Sequence, residues 1–273
     1  MAASPANDHE PHLQLAGMAL RNGVLMLGPT SWAATIRTRA GTLQTAAGRR
    51  PTFGETVSAK VPLLRGPVRL LNMLLVLPRL RRALPDARLS LESPDVLGVT
   101  VAGAVLVRAA RHGFGPGAAS EAVSSLGSLA STFATMRIGD IAHYHGAEHK
   151  AIGGYEQGIS AKEATREHAR CGTQLAVPML VFSAIATHAL FTLLPRAQRQ
   201  SAPLLGQLVG VAVATELFRA AQRGKGGAVA RASQRLGLEL QTRATTQEPT
   251  DAQLEVAEHA LTRVLATERR AHT

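Results

Sequence analysis

One cysteine in 273 residues, Cys171, is too few for an internal disulfide, so nothing in the chain calls for an oxidising compartment. Aromatic residues are scarce as well, at 3% of a chain that is 45% hydrophobic. The apolar content is therefore mostly Leu, Val and Ala, which suits helices. Acid is short too: 19 Asp and Glu against 30 Lys and Arg leave a formal charge of +11. Such an excess ordinarily points to nucleic acid. Here the basic residues lack interleaved aromatics and flank apolar runs instead, so no nucleic-acid partner is expected. The opening MAASPANDHEPHLQLAG lacks a basic start followed by an apolar core, so no cleavable signal peptide is expected, and residues 1–12 read as a disordered lead.

Between Arg37 and Arg88 the sequence holds eleven Lys or Arg against only Glu55 and Asp86. Basic residues beside membrane spans mark the cytoplasmic side and attract anionic lipid headgroups. The expected partners are accordingly the lipid bilayer and its anionic headgroups, with a homo-oligomer left open.

Residues 13–60 carry short apolar clusters broken by glycines, and the alternation around Ala40-Gly41 predicts a β-hairpin in a small β-containing region. Residues 61–90 mix leucines with arginines and prolines, which fits an amphipathic helix lying at an interface. A bilayer span needs about 20 mainly apolar residues. Residues 174–195 and 203–222 meet that length; two weaker runs, DVLGVTVAGAVLVRAA and PGAASEAVSSLGSLASTFATM, would form an earlier hairpin joined at RHGFGPG. The expected fold is mainly α: an integral membrane helical bundle of about four apolar helices over 95–222, with a cytoplasmic-side loop at 137–173. Gly98 with Ala102, and Gly206 with Gly210 and Ala214, are candidate packing faces. Residues 223–273 read as a basic linker and a C-terminal amphipathic helix. An even number of spans puts both termini on one side, and the basic blocks place that side in the cytoplasm. A buried helical bundle of a soluble protein remains the alternative.

The chemistry concentrates in HYHGAEHKAIGGYEQG, residues 143–158. In a helix, His145, Glu148 and His149 share one face. Imidazoles at i and i+4 can reach one zinc or similar divalent ion, with the glutamate as ligand or general base. The spacing is that of the inverted zincin motif, moderately specific as a bare pattern. A third ligand must come from elsewhere, and His168, Cys171 and Glu216 are the candidates. Glu216 also has a simpler reading as the partner of Arg219 or Arg223, and Cys171 as a buried thiol. Tyr155 and Glu156 are expected to shape a turn at Gly153-Gly154, and Lys150 to be a solvated charge.

YHGAEHKAIGGYE closely resembles the YHGAEHK…YE signature of the YqhQ family of bacterial membrane proteins, a domain of unknown function (1385). ARCGTQL, TRATTQEPTDAQLEVA, VPLLRGPVRL and NGVLMLGP are similar to further blocks of that family, in order along nearly the whole chain. The resemblance implies membrane helices and metal dependence, and it points to His145, Glu148, His149, Glu156, His168, Cys171 and Glu216. Tyr144, Lys150 and Tyr155 belong to the same signature. The chain departs from the family where Met18 and Asn22 stand in place of a glutamine and a glutamate.

Together these readings predict a metal-dependent, hydrolase-like enzyme at the cytoplasmic face of the bacterial cell membrane, with Glu148 as the catalytic group. A non-catalytic membrane scaffold with a structural metal site is the alternative, and a transporter relaying protons through Glu216 and His188 is a third.

Overall fold

The structure, a computed structural model, describes residues 12–114 and 118–272. The lead expected over residues 1–12 lies outside them except for His12, as does the expected turn at RHGFGPG from residue 115 onward. The described part is mostly helical and opens with a small sheet. Strands β1 (Ala16–Leu20), β2 (Gly23–Leu27), β3 (Ser31–Arg37) and β4 (Leu43–Arg49) form an antiparallel meander in sequence order. Its last turn is the one anticipated at Ala40-Gly41: Gly41 takes φ +82°, and Thr38 and Thr42 close the loop by a backbone hydrogen bond.

The sheet is sandwiched. After α1 (Glu55–Lys60), helix α2 (Arg65–Ala83) lays Val76 and Leu80 on one face against Leu20, Leu25 and Ile36. The other face is covered by α5 (Ile141–Gln157) and α9 (Asp251–His272), whose Ala147, Ala151, Val256, Ala260 and Val264 meet Val24, Met26 and Ala33. This double cover explains why every residue of β2 is buried and why its sequence, GVLML, is continuously apolar. The predicted C-terminal amphipathic helix is thus a core helix of the sheet layer.

One buried acid ties α9 to the sheet. Glu268 receives hydrogen bonds from Thr30 N and Oγ1 and from Ser31 N and Oγ at 2.7–2.8 Å. Burial alone would raise its carboxyl pKa, but these donors outweigh burial and hold it below the ordinary 4.5. A group depressed in the folded state contributes stability above its unfolded pKa and loses it as pH falls through the folded value. We therefore expect Glu268→Gln to lower stability at pH 7 by about 1.5–3 kcal/mol. Paired thermal melts should show that difference shrinking below the ordinary carboxylate range; a gap that stays constant with pH would contradict it.

The remaining α-helices are α3 (Pro94–Phe114), α4 (Ala118–Met136), α6 (Ala176–Leu193), α7 (Ala202–Gln222) and α8 (Gly227–Leu240). Among the described residues two helical stretches, not about four, are long and apolar enough to cross a membrane: Gly172–Leu193 and Arg196–Gln222. The other two fall short for a compositional reason. Arg108 and His112 interrupt α3, and α4 is diluted by Ser124, Ser128, Ser131 and Thr132. The two spanning candidates pack tightly as a hairpin, since a Cβ at Gly206 or Gly210 would overlap Thr187 or Ser183. A Cβ at Gly98, by contrast, would meet nothing within 4 Å among the described residues.

Candidate metal centre

Within the stretch expected as a loop, residues 141–157 form α5, buried from Tyr144 through Gly154. The helix runs through Gly153-Gly154 and ends at Gly158, which takes the left-handed φ of +66° that favours glycine at a helix end. His145, Glu148 and His149 therefore do share a face, and all three are buried. Cys171 comes from the segment leading into α6 and is buried beside them. One ligand atom each from His145, His149 and Cys171 lie within 4.8 Å of one another. A tetrahedral zinc with nitrogen and sulfur ligands separates its donors by about 3.3–3.6 Å, so a small closure suffices.

Two observations test whether these residues suit a metal ion. First, both imidazoles are held by their inner nitrogens: His145 Nδ1 donates to the Thr245 carbonyl at 2.8 Å, and His149 Nδ1 donates to the Arg166 carbonyl at 2.6 Å. A carbonyl only accepts, so each Nε2 is left as a bare lone pair, the arrangement that orients metal-bound histidines. Second, His149 Nε2 is buried with no hydrogen-bond partner among the described residues, and so is Glu148 Oε2. An orphaned buried polar atom costs about 1–3 kcal/mol, so it calls for an occupant. His145 Nε2 accepts from the Cys171 thiol at 3.3 Å, and Thr173 donates to the same sulfur through Oγ1 at 3.2 Å. The donor set fits a divalent ion such as zinc.

The electrostatics agree. Burial, reinforced by His145, pushes the His149 pKa well below the usual histidine value, which keeps the imidazole neutral and able to ligate. Burial also raises the Cys171 thiol, partly offset by the Thr173 hydrogen bonds. Glu148 is pushed up to about 8 by burial, with His145 opposing and Cys171 adding to the rise. A nearby cation would reverse the last two shifts by favouring thiolate and carboxylate.

Local chain geometry explains how these partners arrive. Residues 241–245 make a π-helical turn at the end of α8, closed by Thr246 N on the Gln241 carbonyl at 3.1 Å. Carbonyls at a helix end have no intrahelical partner, and Thr245 uses its own on His145. The following segment straps α5: Gln247 N donates to the Ala142 carbonyl at 2.9 Å, and Lys150 Nζ bonds Glu248 at 2.6 Å. Only a glycine at 146 lets the strap lie this close, since a Cβ there would overlap the Gln247 carbonyl. Gly17 of β1 similarly leaves room for the Glu148 carboxyl.

The remaining candidates take other places. His168 is adjacent, its ring 5.7 Å from that of His149, but both its nitrogens are engaged, Nε2 by Glu156 at 3.0 Å and Nδ1 by Arg170 N at 3.3 Å. Glu156 also pairs with Arg170. Gln241, fully buried, clamps the His168 backbone from both sides. Glu216 is not with the cluster; it pairs with Arg65 of α2 at 3.1 Å rather than with Arg219 or Arg223. Lys150 is buried in the strap contact instead of solvated. Tyr144 packs in the core under the sheet, and the Tyr155 hydroxyl accepts from Leu13 N at 3.2 Å. Met18 packs on the α2 face of the sheet, opposite the face that Gly17 turns toward Glu148. Asn22 binds the Arg37 and Asp86 carbonyls and the Arg88 amide. Sequence reasoning missed Thr245 and Arg166, which act through main-chain oxygens that any residue type supplies.

No curated protein and no solved structure matches this chain. A family model described as a protein of unknown function, DUF1385, matches residues 126–267. That stretch is more than half of the chain, and it contains the whole histidine and cysteine cluster together with the strap that orients it. The chain belongs to the DUF1385 family.

Proposed function

We propose that the protein is a membrane-apposed, metal-dependent hydrolase whose centre is built from His145, His149 and Cys171. The observation that carries this reading is the pair of inward Nε2 lone pairs beside a thiol, one of them buried without any other partner. When bound there, a divalent ion such as zinc supplies Lewis acidity toward a substrate oxygen and lowers the pKa of water to about 7. Three protein ligands leave a coordination position open, which favours catalysis over a closed structural site. Glu148 is the group placed to take up a proton: its Oε2 is buried and unpartnered on the same helix face as the two imidazoles, and a cation held there would favour the carboxylate form that a general base needs.

The membrane placement rests on the α6–α7 hairpin. Cys171 sits directly before α6, and Gln222 at the end of α7 bonds the Ala169 carbonyl at 2.7 Å, so the centre lies at the base of the hairpin. With two spans as with four, the centre and both ends of the chain share one side. The basic residues from Arg37 to Arg88 favour the cytoplasmic face of a bacterial membrane, against only Arg196 and Arg199 at the hairpin tip. Substrates at that surface would be lipid esters or membrane-proximal peptides.

Glu148→Gln separates binding from chemistry. We expect metal content near that of the native protein, with hydrolysis of lipid-ester or peptide probes reduced by about 10²–10⁴-fold. A Glu148→Gln protein that hydrolyses the same probes at the native rate would remove Glu148 from the mechanism.

A further inference from the structure

A second site lies away from the metal centre, at the far end of β1. A cleft of about 620 Å³ opens between the β1–β2 turn, the β3–β4 turn and the segment following α2. Its walls carry Arg21, Arg39, Arg81 and Arg88 against Asp86 and Glu92. The acids are unevenly committed. Glu92 already pairs with Arg81 at 3.1 Å, and Arg81 also donates to the Pro85 and Ala87 carbonyls, so it serves as a strut for the cleft wall. Arg21 and Arg88 bond here through main-chain atoms only, and the guanidinium groups of Arg21, Arg39 and Arg88 have no hydrogen-bond or ion-pair partner among the described residues. Three uncommitted cations thus line the cleft with one free carboxylate, that of Asp86, the Arg21 guanidinium also lying against Gly139. Asn22 fixes the geometry, its side chain tying the β1–β2 turn to residues 86 and 88, while Arg21 N bonds the Arg88 carbonyl at 2.9 Å.

We infer that this cleft binds a phosphate-bearing anion. Guanidinium forks match phosphate oxygens bidentately, and a concave wall with an excess of positive charge concentrates such ligands. The volume accommodates a small phosphorylated group. The cleft also sits near an apolar surface: Leu74 and Leu75 of α2 are exposed, and Arg81 follows about 10 Å further along the same helix. That spacing suits the headgroup of a lipid whose chains remain beside α2. A free phosphate offers the same chemistry. The inference stands apart from the metal centre, and metal content reports on the two separately.

The test is calorimetric titration of the full chain in a nonionic detergent, with inorganic phosphate in one arm and micelle-borne phosphatidic acid in the other. We expect saturable binding that Arg21→Gln, Arg39→Gln and Arg88→Gln each weaken by about tenfold. Arg231→Gln with Arg235→Gln on exposed α8 should leave it unchanged. Tighter binding of the phosphatidic acid identifies a lipid headgroup, and equal or tighter binding of inorganic phosphate identifies a soluble anion; either supports the site. Absence of saturable binding in both arms overturns it. So does equal binding by the three cleft variants when their melts and metal content match the native protein.

Discussion

Purified from metal-replete cells without chelators, the native chain should carry close to one divalent ion per molecule, and the His145→Ala, His149→Ala double variant should carry none. The effect is large because these side chains supply two of the three convergent donors. Losing an outer hydrogen-bond partner of a ligand costs about 10–100-fold in affinity, and losing ligands themselves must cost more. Cys171→Ser refines the result. After substitution with cobalt, the native protein should show a thiolate-to-metal charge-transfer band, which the serine variant should lose while its helical content stays native. Elemental analysis decides the matter: a folded native protein without metal would leave the buried His149 Nε2 unexplained and end the metal reading.

The second large effect is expected at Gly146, which contacts no ligand atom. Gly146→Ala forces a methyl into the Gln247 carbonyl of the strap. Overpacking of this kind typically costs about 1–3 kcal/mol. The strap follows directly on the turn whose Thr245 carbonyl fixes His145, so lifting it frees the imidazole to rotate. We therefore expect metal affinity to fall by about 10–100-fold as well, the range for loss of an outer partner. Competition with a calibrated chelator measures this, and denaturant melts measure the stability change. Native metal affinity in a destabilised Gly146→Ala protein would show that the strap does not orient His145.

The histidine pair and Glu148 were legible because helical periodicity is a strong local signal, and three polar residues on one turn stand out between apolar runs. The third donor was not singled out. His168, Cys171 and Glu216 were all candidates in sequence, the last two with simpler readings beside that role, and only tertiary contacts separate them: Arg65 engages Glu216, and Glu156 with Arg170 engages His168. Main-chain acceptors such as the Thr245 and Arg166 carbonyls leave no trace in residue type. Lys150 looked solvated for a similar reason, since its partner Glu248 is 98 residues distant. The small sheet was legible from its glycines and alternation. The count of candidate spans was not, because α3 and α4 are apolar enough to resemble spans, although Arg108 and the serines of α4 interrupt them.

The strap also sets a timetable for biosynthesis. His145 finds its orienting carbonyl 100 residues later in the chain, at Thr245. Translation proceeds at about 5–20 residues per second, so roughly 5–20 s separate the appearance of the two groups. The α6–α7 hairpin, the pair of helices long and apolar enough to cross a membrane, is made in that interval. The His145 contact is therefore completed only on a chain whose hairpin has already been synthesised, so a half-made polypeptide cannot hold the two histidines and the cysteine in their final geometry.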